Sequence, residues 1–334
     1  MGAFPNVARM RVMALGTSSG RPTRERTVSA VAVDLGRRWI LVDCGEGTQH
    51  QILRAPLSTA RLDAILITHL HGDHVLGLPG LLASLGLDGR TDALPVVGPA
   101  GLAGWLDATT ALPMLHLTYP VEVTELADGP AASDEPDGSD ISDDSMGRIV
   151  LRTADGVTVA SRPLLHRVPC HGYRISAPTR PGRFDAARAA ELGVAPGPDA
   201  ARLVAGESVE GSHGTVHPDQ VVGPPRPGQV VTVLGDTVPC NGSVALARGS
   251  DVLVHEATYA DAETALAARW MHSTARQAGE IAGRSGARHL VLTHFSARYP
   301  DLSVLLAEAQ TVFPATTLAE ELTWVWPIDW AGDR

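Results

Sequence analysis

Within His69-Leu70-His71-Gly72-Asp73-His74, three imidazoles and one carboxylate fall in six residues. That mixture of donors suits Zn2+, Mn2+ or iron. It directly follows the apolar run Ala64-Ile65-Leu66-Ile67, so it stands where a buried strand ends. A lone histidine in apolar surroundings is usually structural, but four ligand-type residues at one strand end are not explained by core packing. The same arrangement recurs three times. Val231-Thr232-Val233-Leu234-Gly235 leads into Asp236, His289 to Thr293 into His294, and Val159 to Leu165 into His166. Taken singly, Asp236 would serve as a turn cap and His166 or His294 as a satisfied histidine. Taken together, they make five histidines and two aspartates. That exceeds one tetrahedral zinc and matches two metals sharing a carboxylate. Ions about 3.5–4 Å apart clamp both sides of a displacement at phosphorus. A carboxylate bridges easily, so Asp236 is the expected shared ligand.

The elements that must position these residues are legible as apolar runs of strand length: Ala30–Val33, Trp39–Val42, Ala64–Ile67, Ile149–Leu151, Val157–Ala160, Val230–Leu234, Val252–Val254 and His289–Leu292. Helix-like stretches lie at Leu76–Leu87, Asp185–Glu191, Glu263–Ala268 and Ala275–Gly283. Hairpin-like strands followed by strand–helix alternation predict a layered α/β domain. Segment 128–146 is rich in Ser, Asp, Gly and Pro and reads as a disordered acidic insertion. Segment 176–228 is Pro/Gly-rich around a short helix. With few apolar residues to build a core, it reads as a projecting arm of one 1–334 domain.

The 334 residues, 44% of them apolar, exclude a wholly disordered chain. No stretch approaches the roughly 18 apolar residues of a membrane helix, and the first 20 residues lack the pattern of a secretory signal. Three cysteines (Cys44, Cys170, Cys240) make no disulfide framework, which fits a reducing cytoplasm. All 27 cations are Arg, against 37 acids, for a formal charge of −10. Segment 128–146 holds seven of the acids, and the remainder carries only −3. Such a chain is not an obvious nucleic-acid binder.

In order, from about Ala14 to Tyr299, the motifs resemble the metallo-β-lactamase superfamily and, within it, the ribonuclease Z family of tRNA 3′-processing endoribonucleases. The opening is Leu15-Gly16-Thr17-Ser18-Ser19-Gly20-Arg21-Pro22-Thr23, then Leu41-Val42-Asp43-Cys44-Gly45-Glu46-Gly47-Thr48-Gln49. The histidine cluster is followed by Gly77-Leu78-Pro79-Gly80-Leu81-Leu82, which looks like ribonuclease Z in particular. His166-Arg167-Val168-Pro169-Cys170-His171-Gly172-Tyr173, Gly235-Asp236-Thr237, His255-Glu256-Ala257-Thr258, His272-Ser273-Thr274-Ala275 and Leu292-Thr293-His294-Phe295-Ser296-Ala297-Arg298-Tyr299 complete the set.

The resemblance implies a four-layered αβ/βα sandwich with an arm, and two Zn2+ ions, with Mn2+ suiting the same donors. One ion would lie on His69, His71 and His166, the other on Asp73, His74 and His294, with Asp236 bridging. It assigns Asp73 as proton acceptor for water and His272 as proton donor to the leaving oxygen. It also implies precursor tRNA as partner and a homodimer. Asp43 and Glu46 are expected to orient ligands and loops, and His255 to support them by hydrogen bonding. Ser18 and Ser19 would offer donors to a phosphate or simply form a turn, and Arg180 and Arg183 would form the arm's tip. The chain departs from the family in Thr27, where Asn is expected. Its arm is also not basic, with five Arg against six acids over 176–228. The competing enzyme reading is a hydrolase of a small phosphodiester or cyclic nucleotide. From another class, the competitor is a non-catalytic RNA-binding relative.

Overall fold

Strands that are apolar on both faces require a sheet covered on both sides. The structure, a computed structural model, describes residues 10–110, 117–127 and 146–326, and there two seven-stranded sheets cover one another. The first contains β1 (Arg11–Gly16), β2 (Ala30–Asp34), β3 (Trp39–Val42), β4 (Leu62–Leu66), β5 (Leu94–Pro99) and β6 (Val121–Leu126). The second contains β7 (Arg148–Arg152), β8 (Thr158–Leu164), β9 (Cys170–Ser176), β12 (Val230–Val233), β13 (Val252–Glu256), β14 (Leu290–Thr293) and β15 (Thr316–Leu318). A final strand, β16 (Trp324–Val325), returns to pair with β1.

Each sheet is half parallel. Strands β3 to β6 run parallel, as do β12 to β15, whereas the β16-β1-β2-β3 and β7-β8-β9-β12 pairings are antiparallel. Side-chain alternation sends Met13 and Leu15 of β1 outward, onto Ile52 of helix Thr48–Arg54 and the leucines of helix Leu78–Leu87. The neighbours Val12 and Ala14 face Val254 and Val291 of the other sheet. On that sheet's outer side, Leu253, Leu290 and Leu292 pack on Ala278, Ile281 and Ala282 of helix Ala275–Ser285 and on Leu305 and Ala309 of helix Ser303–Val312. The result is the expected order of helix, sheet, sheet, helix. Helix Ala275–Ser285 starts at a capping box between Thr274 and Gln277 and stops at Gly286, whose φ of 66° only glycine adopts readily.

Element ends lie within four residues of the sequence reading, and of these strands β1, β5, β6, β9, β15 and β16 escaped it. Strand β9 mixes His171, Gly172 and Arg174 with apolar residues, so its period is masked. The acidic segment 128–146, apart from Met146, lies outside the described residues.

Residues Ala177–Gln229 form a compact unit of their own. It contains helices Ala186–Glu191 and Pro198–Val204 and the hairpin of β10 (Val209–Gly211) and β11 (Gly214–Val216). The expectation that this arm lacks a core is corrected. Ala189, Val194, Leu203, Val209, Val216 and Val221 are buried together, with Phe184, Leu192 and Val222 against them. Spaced singly along a Pro/Gly-rich sequence, these residues show no periodic run, and they meet only when the arm folds back on itself.

Candidate active site

The ligand-type residues gather where strands end. His69 and His71 follow β4, with Asp73 and His74 side by side on the short helix Gly72–Val75. His166 follows β8, Asp236 follows β12 and His294 follows β14. Donor atoms of His69, His71, His166 and Asp236 lie within 4.8 Å of one another, and so do those of Asp73, His74 and His294. Asp236, His272 and His294 form a third such group. Asp236 thus belongs to two of the groups.

Hydrogen-bond partners decide which ring nitrogen of each histidine is free. His74 Nδ1 lies 2.7 Å from Asp43 Oδ2, which has no proton to give, so Nδ1 carries the hydrogen. Thr68 Oγ1 donates to the same carboxylate at 2.9 Å and therefore accepts from His69 Nδ1 at 3.0 Å. His166 Nδ1 donates to the Met271 carbonyl at 2.8 Å. His294 Nδ1 donates at 2.9 Å to Thr258 Oγ1, whose own proton goes to Glu256. Four Nε2 lone pairs are thereby aimed inward.

His71 presents Nδ1 instead, 3.0 Å from His69 Nε2 and 3.3 Å from His166 Nε2. His74 Nε2 and His294 Nε2 stand 3.2 Å apart. Asp236 Oδ2 lies 3.4–3.9 Å from the Nε2 atoms of His69, His74, His166 and His294. Lone pairs and carboxylates at such distances repel unless cations stand among them, so the donor set fits bound metal.

The electrostatics follow from burial and crowding. Burial, with His74 beside it, holds the pKa of His69 well below the ordinary histidine value. Burial would raise Asp236, but His294 and His74 outweigh it and keep the carboxyl ionised far below its usual range. His272 is different. Burial lowers its pKa, yet the Glu256 carboxylate, 2.9 Å from Nδ1, outweighs this and pushes it up to about 9. Burial also pushes the Cys170 thiol up, and its sulfur lies 3.9 Å from His69 Nδ1, the ring nitrogen that also meets Thr68.

Three non-glycine residues here take the left-handed backbone region: Asp43 (φ 60°), Met271 (φ 55°) and His294 (φ 58°). Such strain costs roughly 1–3 kcal/mol each and persists only where surroundings enforce it. Each turns the chain sharply beside a donor.

The remaining sequence candidates are placed as follows. Asp43 orients Thr68 and His74, whereas Glu46 is exposed beside His71 and Asp73 in an open recess. Ser18 is fully buried, and its hydroxyl donates to the Arg21 carbonyl at 2.8 Å, so of its two readings the turn is what forms. The Ser19 amide donates to the Phe295 carbonyl at 3.0 Å. Arg180 pairs its backbone with Arg226 inside the arm, and Arg183 is exposed there. His255 is corrected: its Nδ1 bonds the neighbouring Glu256 carbonyl at 2.8 Å, and it supports none of the donors. Alternation along β13 turns Glu256 to the cluster and His255 away from it. Sequence reasoning quoted Glu256 and Thr258 within a motif but gave them no role; they hold His272 and His294. The available signal was an acid at the end of a buried strand.

A family model described as the Beta-lactamase superfamily domain matches residues 38–180 and 211–295. "Ribonuclease Z" of Synechococcus sp. (strain WH7803) is 46% identical over 321 residues, 93% of this chain and 94% of that one. "Ribonuclease Z" of Brevibacillus brevis is 42% identical over 323 residues, 94% and 95% of the two chains. Among solved structures, the short form of human tRNase Z is 28% identical with a TM-score of 0.67, covering 95% of this chain and 99% of that one. YhfI of Bacillus subtilis, a metallo-β-lactamase fold protein, shares the fold at 18% identity and a TM-score of 0.63, covering 95% of this chain and 98% of that one. With its ordered motifs, its paired sheets and its ring of inward-facing donors, the chain belongs to the metallo-β-lactamase superfamily and, within it, to the ribonuclease Z family.

Proposed function

We propose that the chain is an endoribonuclease that hydrolyses the phosphodiester after the discriminator nucleotide of precursor tRNA, removing the 3′ trailer. His69, His71 and His166 would hold one zinc ion and Asp73, His74 and His294 a second, with Asp236 available to both. Mn2+ suits the same donors. When bound, such ions supply positive charge against a phosphate and bring the pKa of water toward neutrality. Asp73 accepts the proton of the attacking water. His272, kept protonated by Glu256, donates to the departing 3′ oxygen. The products are a tRNA with a free 3′-OH and a trailer with a 5′-phosphate.

The observation that carries this reading is the double donor set, in which bonds to Asp43, Thr68, Met271 and Thr258 turn four Nε2 lone pairs inward. The relatives named ribonuclease Z and tRNase Z supply the substrate. The arm contacts tRNA chiefly through Arg183. Arg188 is paired with Glu191 at 2.9 Å, and Arg202 with Asp199 and Glu207 at 3.3 and 3.0 Å. Three buried free thiols support a reducing, cytoplasmic setting. The homodimer rests on family resemblance alone. The test is cleavage of a labelled precursor tRNA by wild type and His74→Ala, with bis-p-nitrophenyl phosphate in parallel. Cutting at the discriminator that the variant loses supports the reading. Turnover of the small diester with an intact precursor moves the substrate to a small phosphodiester.

A further inference from the structure

We propose that Glu321, in the segment between β15 and β16, is a positioning residue for the ion held by Asp73, His74 and His294, acting through the loop 16–28. The inference rests on the metal reading above. Glu321 makes no hydrogen bond to any of the seven donors; it reaches them only through the loop. Its Oε1 accepts from the Thr17 amide at 3.1 Å, the Thr17 hydroxyl at 3.2 Å and the Thr27 amide at 2.7 Å. Its Oε2 accepts from Gln51 Nε2 at 2.6 Å. One carboxylate therefore ties both ends of the loop to helix Thr48–Arg54. The Gln51 amide cannot turn over, because Nε2 also donates to the Leu15 carbonyl and Oε1 accepts from Arg54. The segment carrying Glu321 is itself docked on β1, with the Leu322 amide on the Ala14 carbonyl at 2.9 Å.

The clamped loop bonds one of the three donors of that ion and the chain neighbour of a second. The Gly20 amide donates to Asp73 Oδ2 at 2.6 Å. Gly20 has φ +70° and open space where a Cβ would lie, so the left-handed turn that aims its amide costs little there. Phe295, next to His294, exchanges backbone bonds with Thr17 (2.7 Å) and Ser19 (3.0 Å). Arg26, beside Thr27, reaches the Ser296 and Tyr299 carbonyls. Among the described residues, no hydrogen bond joins this loop to His69, His71 or His166. Loosening the clamp therefore disturbs one donor set and spares the other. Four donors facing one side chain require a group that only accepts. Glutamine at this place turns an NH2 either onto Gln51 or onto the threonine amides.

The test is a Zn2+ titration of metal-free protein against a chromophoric chelator, with thermal unfolding of the same samples. Glu321→Gln is expected to weaken one of the two zinc sites about tenfold, within the range for partners that orient ligands, and to leave the other within about twofold. A general loss of structure would not split the two affinities. Equal weakening of both sites, or unchanged affinities with a lowered Tm, overturns the proposal. Should Glu321→Gln fail to fold, Thr17→Val removes one donor at nearly constant volume. It is expected to weaken the same site about threefold, and unchanged affinities there count against the proposal equally. Wild type that binds no zinc overturns the metal reading, and this inference with it. Wild type with two sites that the variant leaves intact overturns this inference alone.

Discussion

Asp43→Asn isolates what a single buried carboxylate does for the centre. Asp43 is 6% exposed and accepts three hydrogen bonds: from Thr68 N at 2.7 Å, Thr68 Oγ1 at 2.9 Å and His74 Nδ1 at 2.7 Å. Asparagine has the same shape and tolerates the φ of 60° at least as well, so backbone strain does not confound the result. Its NH2 group must replace one accepting oxygen. If it faces His74, two N–H groups meet and the ring takes the other tautomer, turning an N–H into the cluster where a lone pair is needed. If it faces Thr68, the backbone amide is left without an acceptor. Either arrangement forfeits a charge-assisted bond of about 1.5–3 kcal/mol, which in a chain of this length lowers the Tm by roughly 2–4 °C. Metal affinity falls about 10–100-fold, as for other groups that orient ligands. Chelator competition with Zn2+ and thermal unfolding measure both quantities. A variant with wild-type zinc affinity would refute the tautomer argument, whatever its Tm.

His272→Asn is expected to lower kcat on precursor tRNA by about 10²–10⁴-fold with zinc content unchanged, as kinetics and metal analysis on one preparation would show; lost zinc would instead make His272 a ligand. Gly45→Ala places a Cβ 2.2 Å from the Asp73 carbonyl oxygen, so backbone must move. Overpacking of about 1–3 kcal/mol and loss of bound zinc follow, and an unchanged Tm would contradict the packing. Arg183→Ala is expected to raise KM for precursor tRNA a few-fold with no effect on bis-p-nitrophenyl phosphate. With Arg188 and Arg202 already ion-paired, salt should weaken binding by the arm only shallowly. A steep salt dependence abolished by Arg183→Ala would show instead that this one residue carries much more than a single phosphate contact.

The donor residues were legible because metal chemistry is local in type and strands are local in pattern. His69, His71, Asp73 and His74 announce themselves by density, and His166, Asp236 and His294 by standing at the ends of apolar runs. Burial on both faces is written directly in β2, β3 and β4, whose residues are almost wholly apolar. The layered arrangement follows from the need to cover such strands on both faces. The arm's small core was not legible, because its buried residues are isolated along the sequence and converge from four short elements.

Which group holds which donor was decided only in three dimensions. His255 and Glu256 are equally prominent in the sequence, but the pleat of β13 turns only the acid toward His272. Thr258, an ordinary residue by type, fixes the tautomer of His294 across 36 positions. Glu321 meets Thr17 across 304 positions. A hydrogen bond requires two groups within about 3 Å and aligned, a condition that no residue type or spacing encodes once the partners lie far apart along the chain. The amino-acid sequence by itself determined the donors, the strands that carry them and the layers that cover those strands. The tertiary structure alone decided their protonation, their aim and the loop that holds them.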